Sequence, residues 1–218
     1  MEAVYDGYIS RYVNRKASEP MARVFAKTRI TPNQVTWAAF GIALLSFISF
    51  IFGQNIIGGL LVQLSSVVDG VDGSLARLKG MASTFGGFLD SVLDRYADIL
   101  ILLGLTLWSV SNETYPAISI WMVGFLAMAG TTCISYTRAR IGSSHRHLFD
   151  RGLKSLASRD IRLFLIMLGA VAGQAYFCLI AIAALTNLVA LYRLIYIRKY
   201  LGQKASQSKP AFQSSKAP

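Results

Sequence analysis

Apolar residues run through this chain in long blocks, and the polar residues dividing them predict six helices, at 34–53, 57–78, 86–110, 118–140, 159–173 and 175–200. A run of about 20 apolar residues is the length that crosses a bilayer. Acids interrupt the second and third runs and the fifth is short, yet all six fit one bundle. The expected fold is an all-α integral membrane protein with six transmembrane helices, occupying 31–201. Ahead of it, residues 1–30 read as a cytoplasmic juxtamembrane segment. Ile9, Val13, Met21, Val24 and Phe25 stand among basic residues there, as in an amphipathic helix lying on a membrane surface. Pro20 is expected to break or restart that helix. Residues 202–218, rich in Ser, Gln and Lys, are expected to be a disordered tail.

Composition supports a membrane class. Of 218 residues, 54% are hydrophobic and 15% charged, with a mean hydropathy of +0.47, too apolar for an ordinary soluble domain. The formal charge of +11 has a position as well as a size. Arg11, Arg15, Lys16, Arg23, Lys27 and Arg29 precede the first span, whereas the loops near Gln54, Ser111 to Pro116 and Gln174 carry no Lys or Arg. The positive-inside rule then puts both termini in the cytoplasm, with the basic residues meeting anionic membrane lipids. No basic soluble fold is present to bind nucleic acid. Met1 is followed by Glu2 and Asp6 with no early apolar core, so no signal peptide is expected. Cys133 and Cys178 fall within predicted spans and read as buried packing residues without a disulfide.

Against that background, four carboxylates are out of place. Asp69 and Asp72 are three apart and Asp90 and Asp94 four apart, so each pair shares a helix face. An intramembrane acid costs a few kcal/mol unless it meets a cavity or a counter-charge, and reads as functional. Two such helices packed together gather the acids at one point. Hard divalent cations take oxygen ligands of this kind, and Mg²⁺ often shares its shell with phosphate. A divalent-cation transporter also places carboxylates among membrane helices, but it calls for neither Arg77 nor the glycines around them.

With its gaps the segment reads D-x-x-D-G-x-x-A-R, then eight residues, then G-x-x-x-D-x-x-x-D, through Asp69, Asp72, Gly73, Ala76, Arg77, Gly86, Asp90 and Asp94. This resembles the signature of the CDP-alcohol phosphotransferases. The resemblance implies a membrane-embedded enzyme, multi-pass in the cell membrane, with its active site near the cytoplasmic face. Such an enzyme transfers a phosphoryl-alcohol group from a CDP-alcohol to a hydroxyl and releases CMP. It implies that Asp69, Asp72, Asp90 and Asp94 hold two ions of Mg²⁺ or Mn²⁺, and that Asp94 is the catalytic base. Asn33, Thr36, Asp69, Gly73, Ala76, Arg77, Ser83 and Gly86 are implied to bind the CDP group. For Thr31-Pro32-Asn33-Gln34 a helix start is an equally direct reading, with Thr31 as cap and Pro32 in the first turn. Asp98 extends the acidic stripe by a turn and is expected to meet an arginine.

Arg138, Arg140, Arg159, Arg162 and Arg193 suit a phosphorylated acceptor, since guanidinium forks bind phosphate in pairs. The pattern is similar to the inositol-phosphate-using branch, where the equivalent of Arg138 is often Lys. The favoured substrates are CDP-inositol and inositol 1-phosphate, giving di-myo-inositol phosphate phosphate. The alternative is phosphatidylinositol-phosphate synthesis from CDP-diacylglycerol. The 6–15 segment is similar to the junction that follows a cytidylyltransferase in bifunctional relatives, so such a domain or separate partner is implied. The resemblance also implies a homodimer, to which Gly169 and Gly173 add a GxxxG signal. His145 and His147 lie among Ser143, Ser144 and Arg146 and read as a solvated loop.

Overall fold

A computed structural model describes residues 14–141 and 156–207, without the side chains of 202–207. His145, His147, residues 1–13 and residues 208–218 lie outside it. Among the described residues the chain forms seven helices: α1 Arg15–Ala26, α2 Pro32–Ile51, α3 Asn55–Lys79, α4 Thr84–Asn112, α5 Ala117–Arg140, α6 Arg159–Val171 and α7 Ala175–Gln207. By length and composition α2, α3, α5 and the Ala175–Leu201 part of α7 are able to cross a membrane. Of the six predicted spans the other two fall short: α4 carries Asp90, Asp94 and Asp98, and α6 has only 13 residues.

The helix ends are written in the sequence. Thr31 accepts from Gln34 N while Thr31 N donates to the Gln34 side chain, a reciprocal cap with Pro32 in the first turn. At the other end of α3, Gly80 adopts φ 64°, a left-handed conformation that glycine reaches without strain, and Met81 N closes onto Ala76 O. Ser83 then caps α4 by accepting from Gly86 N at 3.0 Å. The α3–α4 turn is therefore short and fixed.

Helix α2 packs on both α3 and α4, α3 also meets α1 and α6, and α5 pairs with α7. Their shared core includes Phe50, Ile101, Leu105, Ile120, Leu163 and Ile182, all buried. Outward-facing Trp37, Leu45, Ile57, Phe125 and Leu188 are exposed. That inside-out spread of large apolar residues is what lipid contact allows and water would penalise.

Three expectations need correction. Helix α1 runs through Pro20 unbroken, because its Asn14, Ser18 and Ala22 stripe is buried against α3 and tertiary packing overrides the lost hydrogen bond. Asn14 Nδ2 donates to Ser66 Oγ at 3.0 Å, and Asn14 Oδ1 accepts from Gln63 Nε2 at 2.8 Å. Helix α7 continues to Gln207, beyond the predicted tail boundary at 202, since no proline intervenes before Pro210. Cys133 is exposed, and only Cys178 is buried; both are free thiols. The Gly169–Gly173 pair is spent inside the chain. Gly169 packs against Cys178 of α7, and Gly173 (φ 66°) turns the chain after α6.

Candidate active site

The acidic motif converges across α3 and α4. One carboxylate oxygen from each of Asp69, Asp72 and Asp90 lies within 4.8 Å of the others. Oxygens around one octahedral Mg²⁺, each about 2.1 Å from the ion, sit up to about 4.2 Å apart, so the trio comes close to the spacing, and has the hard-donor chemistry, of a metal site. Asp90 makes no hydrogen bond or ion pair among the described residues. Asp72 is oriented from two sides, accepting from Thr36 Oγ1 at 2.6 Å and from Gly73 N.

Asp94, one turn beyond Asp90, reaches the cluster through Arg159. Arg159 Nη1 bridges Asp69 Oδ2 at 2.7 Å and Asp94 Oδ1 at 2.9 Å, while its Nε donates to Asp98 Oδ1 at 3.0 Å. Asp98 Oδ2 accepts from Arg162 Nη2 at 2.8 Å, both side chains 3% exposed. Arg95, on the solvent side, is 3.6 Å from Asp94. Asp98 and Arg162 thus satisfy one another, leaving Arg159 and the half-exposed Arg95 to face the other carboxylates. A site this rich in negative charge fits one or more divalent ions.

Beside the acids opens a cleft of about 220 Å³ lined by Asn33, Thr36, Asp72, Gly73, Ala76, Arg77, Ser83, Gly86 and Asp90, with Pro32, Met81, Ala82 and Gly87 completing the wall. Every residue read as CDP-binding except Asp69 lines this one space; Asp69 lies deeper, with Asp94 and Arg159 around a void of about 10 Å³. A Cβ on Gly86 would come 3.1 Å from Ser83 Oγ and 3.2 Å from Asn33 Oδ1, so this glycine keeps α4 close to α2. Arg77 is held toward the cleft by Ser74, 3.1 Å from its Nη2.

The arginines read as acceptor ligands separate. Arg159 stands at the acids with Nη2 unbonded among the described residues. Arg162 is buried, donating to Asp98 and to Ala157 O. Arg193 is also buried and ties α7 to α5 through Ile134 O (2.9 Å) and Thr137 Oγ1 (3.0 Å). Arg138 is half-buried near the end of α5, and Arg140 is exposed. The sequence reading passed over Lys79. Its Nζ donates to Thr28 O and Ile30 O, both at 2.7 Å, tying the end of α3 to the strand of chain that enters α2. A lysine in a last helical turn is a visible signal, but its partners some 50 positions away in sequence are not.

Comparison with known proteins gives a consistent result. Residues 29–189 match the family described as CDP-alcohol phosphatidyltransferase. A bifunctional IPC transferase and DIPP synthase of Rubrobacter xylanophilus is 38% identical over 89% of this chain and 43% of its own length, so the chain spans less than half of that relative. An archaetidylinositol phosphate synthase of Pyrococcus horikoshii is 33% identical over 72% of this chain and 80% of its own. Among solved structures, the phosphatidylinositol phosphate synthase of Mycobacterium tuberculosis with CDP-DAG bound superposes with a TM-score of 0.69 at 23% identity, covering 82% of this chain and 92% of that one. The same enzyme has also been solved with manganese and citrate.

Proposed function

This chain belongs to the CDP-alcohol phosphatidyltransferase family, and on that premise we propose that it joins CDP-inositol to inositol 1-phosphate, forming di-myo-inositol phosphate phosphate and CMP. It is an enzyme that transfers a substituted phosphate group, built on a multi-pass helical membrane fold. The observation that carries the reading is the juxtaposition of the Asp69–Asp72–Asp90 trio with the cleft beside it. The similarity to bifunctional synthases that carry the DIPP name supports the choice of substrates.

In this reading Asp69, Asp72, Asp90 and Asp94 hold two divalent ions, Mg²⁺ or Mn²⁺. When bound, such ions would neutralise the donor pyrophosphate and stabilise departing CMP. Asn33, Ser83 and Gly86 meet the cytidine side of the donor, and Arg77 meets its phosphates, at the cleft wall they share. Asp94 accepts the proton of the acceptor hydroxyl as that oxygen bonds to the β-phosphorus and the bond to CMP breaks, a task that depends on position. Arg159 offers its Nη2 to the acceptor phosphate, and Arg138 and Arg140 approach from α5. Arg162 and Arg193 support that wall from inside. The six-span topology, cytoplasmic termini, homodimer and cytidylyltransferase partner or domain belong to the same proposal, supported by the charge distribution and by family membership.

A second reading, phosphatidylinositol-phosphate synthesis from CDP-diacylglycerol, is favoured by a specific feature. The cleft wall includes the exposed Met81, and Phe85 and Phe88 stand exposed on α4 beside Gly86 and Gly87, an apolar border suited to acyl chains. The test is CMP release by the purified protein with Mg²⁺ and inositol 1-phosphate, offered CDP-inositol or CDP-diacylglycerol. Turnover with CDP-inositol is expected; turnover with the lipid donor alone selects the second reading, and ion uptake into liposomes with no CMP release overturns both.

A further inference from the structure

We propose that Arg159 is a tethered rival of the divalent ion: its guanidinium holds Asp69 and Asp94, gives them up when the ion arrives, and thereby sets how tightly the ion binds. The inference rests on the reading of the four-aspartate group as a metal site.

The geometry contains both the competition and the tether. Nη1 lies 2.7 Å from Asp69 Oδ2 and 2.9 Å from Asp94 Oδ1, so one nitrogen bridges two carboxylates. An ion about 2.1 Å from either of those oxygens would stand within about 5 Å of Nη1, and positive charges that close repel strongly where water is scarce. Asp69, Asp94 and Arg159 side chains are 23%, 15% and 18% exposed, so water screens them only in part. The ion and Nη1 cannot both keep these oxygens at full strength.

Arg159 is also unable to leave. Its Nε is fixed to Asp98, which is itself held by the buried Arg162, which donates in turn to Ala157 O. The guanidinium can therefore swing its outer edge away from Asp69 and Asp94 while its inner edge stays anchored on Asp98. A cation kept this near has a high effective concentration at the carboxylates whatever the ion concentration in solution. By linkage, if the ion expels Arg159, removing Arg159 must tighten the ion. A purely structural ion pair, or an arginine that only contacts the acceptor, makes no such demand.

The experiment strips the full chain, in detergent, with a chelator and titrates it with Mn²⁺, reading the free ion by its electron paramagnetic resonance signal. Arg159→Met keeps the length of the side chain and removes the charge. Mn²⁺ is expected to bind this variant more tightly by a factor of about 5 to 150, the usual span of such coupling, although turnover falls. Arg95→Met measures the through-space part, because Arg95 is 3.6 Å from Asp94 and makes no hydrogen bond to it; its gain must be the smaller. Equal gains in the two variants, or unchanged or weaker Mn²⁺ binding by Arg159→Met, overturn the proposal. Failure of the unaltered protein to bind Mn²⁺ overturns the metal reading beneath it instead. Should Arg159→Met not fold, Arg159→Lys decides: an ammonium cannot bridge Asp69 and Asp94 while holding Asp98, so tighter binding supports the proposal and equal or weaker binding refutes it.

Discussion

Thr36 on α2 donates its hydroxyl to Asp72 on α3 across 2.6 Å, so a residue read from the sequence as a nucleotide contact aims a carboxylate. Replacing it with valine removes the donor at nearly constant volume. A hydrogen bond to a charged acceptor contributes about 1.5–3 kcal/mol, and Thr36→Val is expected to raise the Mg²⁺ concentration for half-maximal turnover about tenfold or more. Thr36→Ser should restore most of the loss. A valine variant with the original Mg²⁺ requirement would show that Asp72 needs no such support.

Asp94→Asn keeps the shape of the side chain but cannot take a proton from the acceptor. Transfer should fall by about 10²-fold or more, the range for loss of a positioned base, while the cleft wall proposed to meet cytidine does not include Asp94 and is untouched. Equilibrium binding of a CDP-alcohol should stay within a few-fold of the unaltered protein. Near-normal turnover in this variant would sink the assignment of the base.

Lys79 ties the two walls of the cleft by joining the end of α3 to the residues that enter α2. Lys79→Met frees Thr28 and Ile30 carbonyls and lets Asn33 drift from Gly73 and Ala76. The donor KM should rise several-fold with kcat less affected, because the reacting acids lie on α3 and α4 beyond the tie. Lys79→Arg, which can still reach both carbonyls, should recover much of the affinity. A fall confined to kcat, or a change in acceptor KM alone, would contradict a positioning role.

Asp98→Ala leaves Arg162 buried without its carboxylate and cuts the anchor of Arg159. Breaking one side of a buried pair costs about 3–5 kcal/mol, so the variant should unfold at a clearly lower temperature with or without Mg²⁺. A melting temperature within a degree of the original would mean that water reaches this pair after all.

How far the sequence carries can be seen in these residues. The acidic motif was legible because its spacing is helical and its residue types are costly among apolar neighbours. A helix end was legible at Thr31, where a local rule was read, whereas Ser83, taken for a nucleotide contact, turned out to cap α4 as well; five of the six predicted runs end within two residues of their helices. Partnerships between distant helices were not. Nothing local says that Lys79 reaches Thr28, that Arg193 serves Ile134, or that Thr36 turns to Asp72. Pro20 misled for the opposite reason: its local rule is real, but the buried face of α1 outweighs it. The pairing of Asp98 with arginine was expected, whereas the identity of its partners, Arg159 and Arg162, required the packing of α6.

The shortness of α6 has a geographic meaning. Thirteen residues of helix cover about 20 Å, some 10 Å less than a hydrocarbon layer of about 30 Å. Arg159 begins this helix, so in the proposed six-span topology the acids it meets would lie below the level at which longer helices emerge. A donor and an acceptor bound at these acids would then meet within the thickness of the lipid, at the floor of a polar recess that the short helix leaves open.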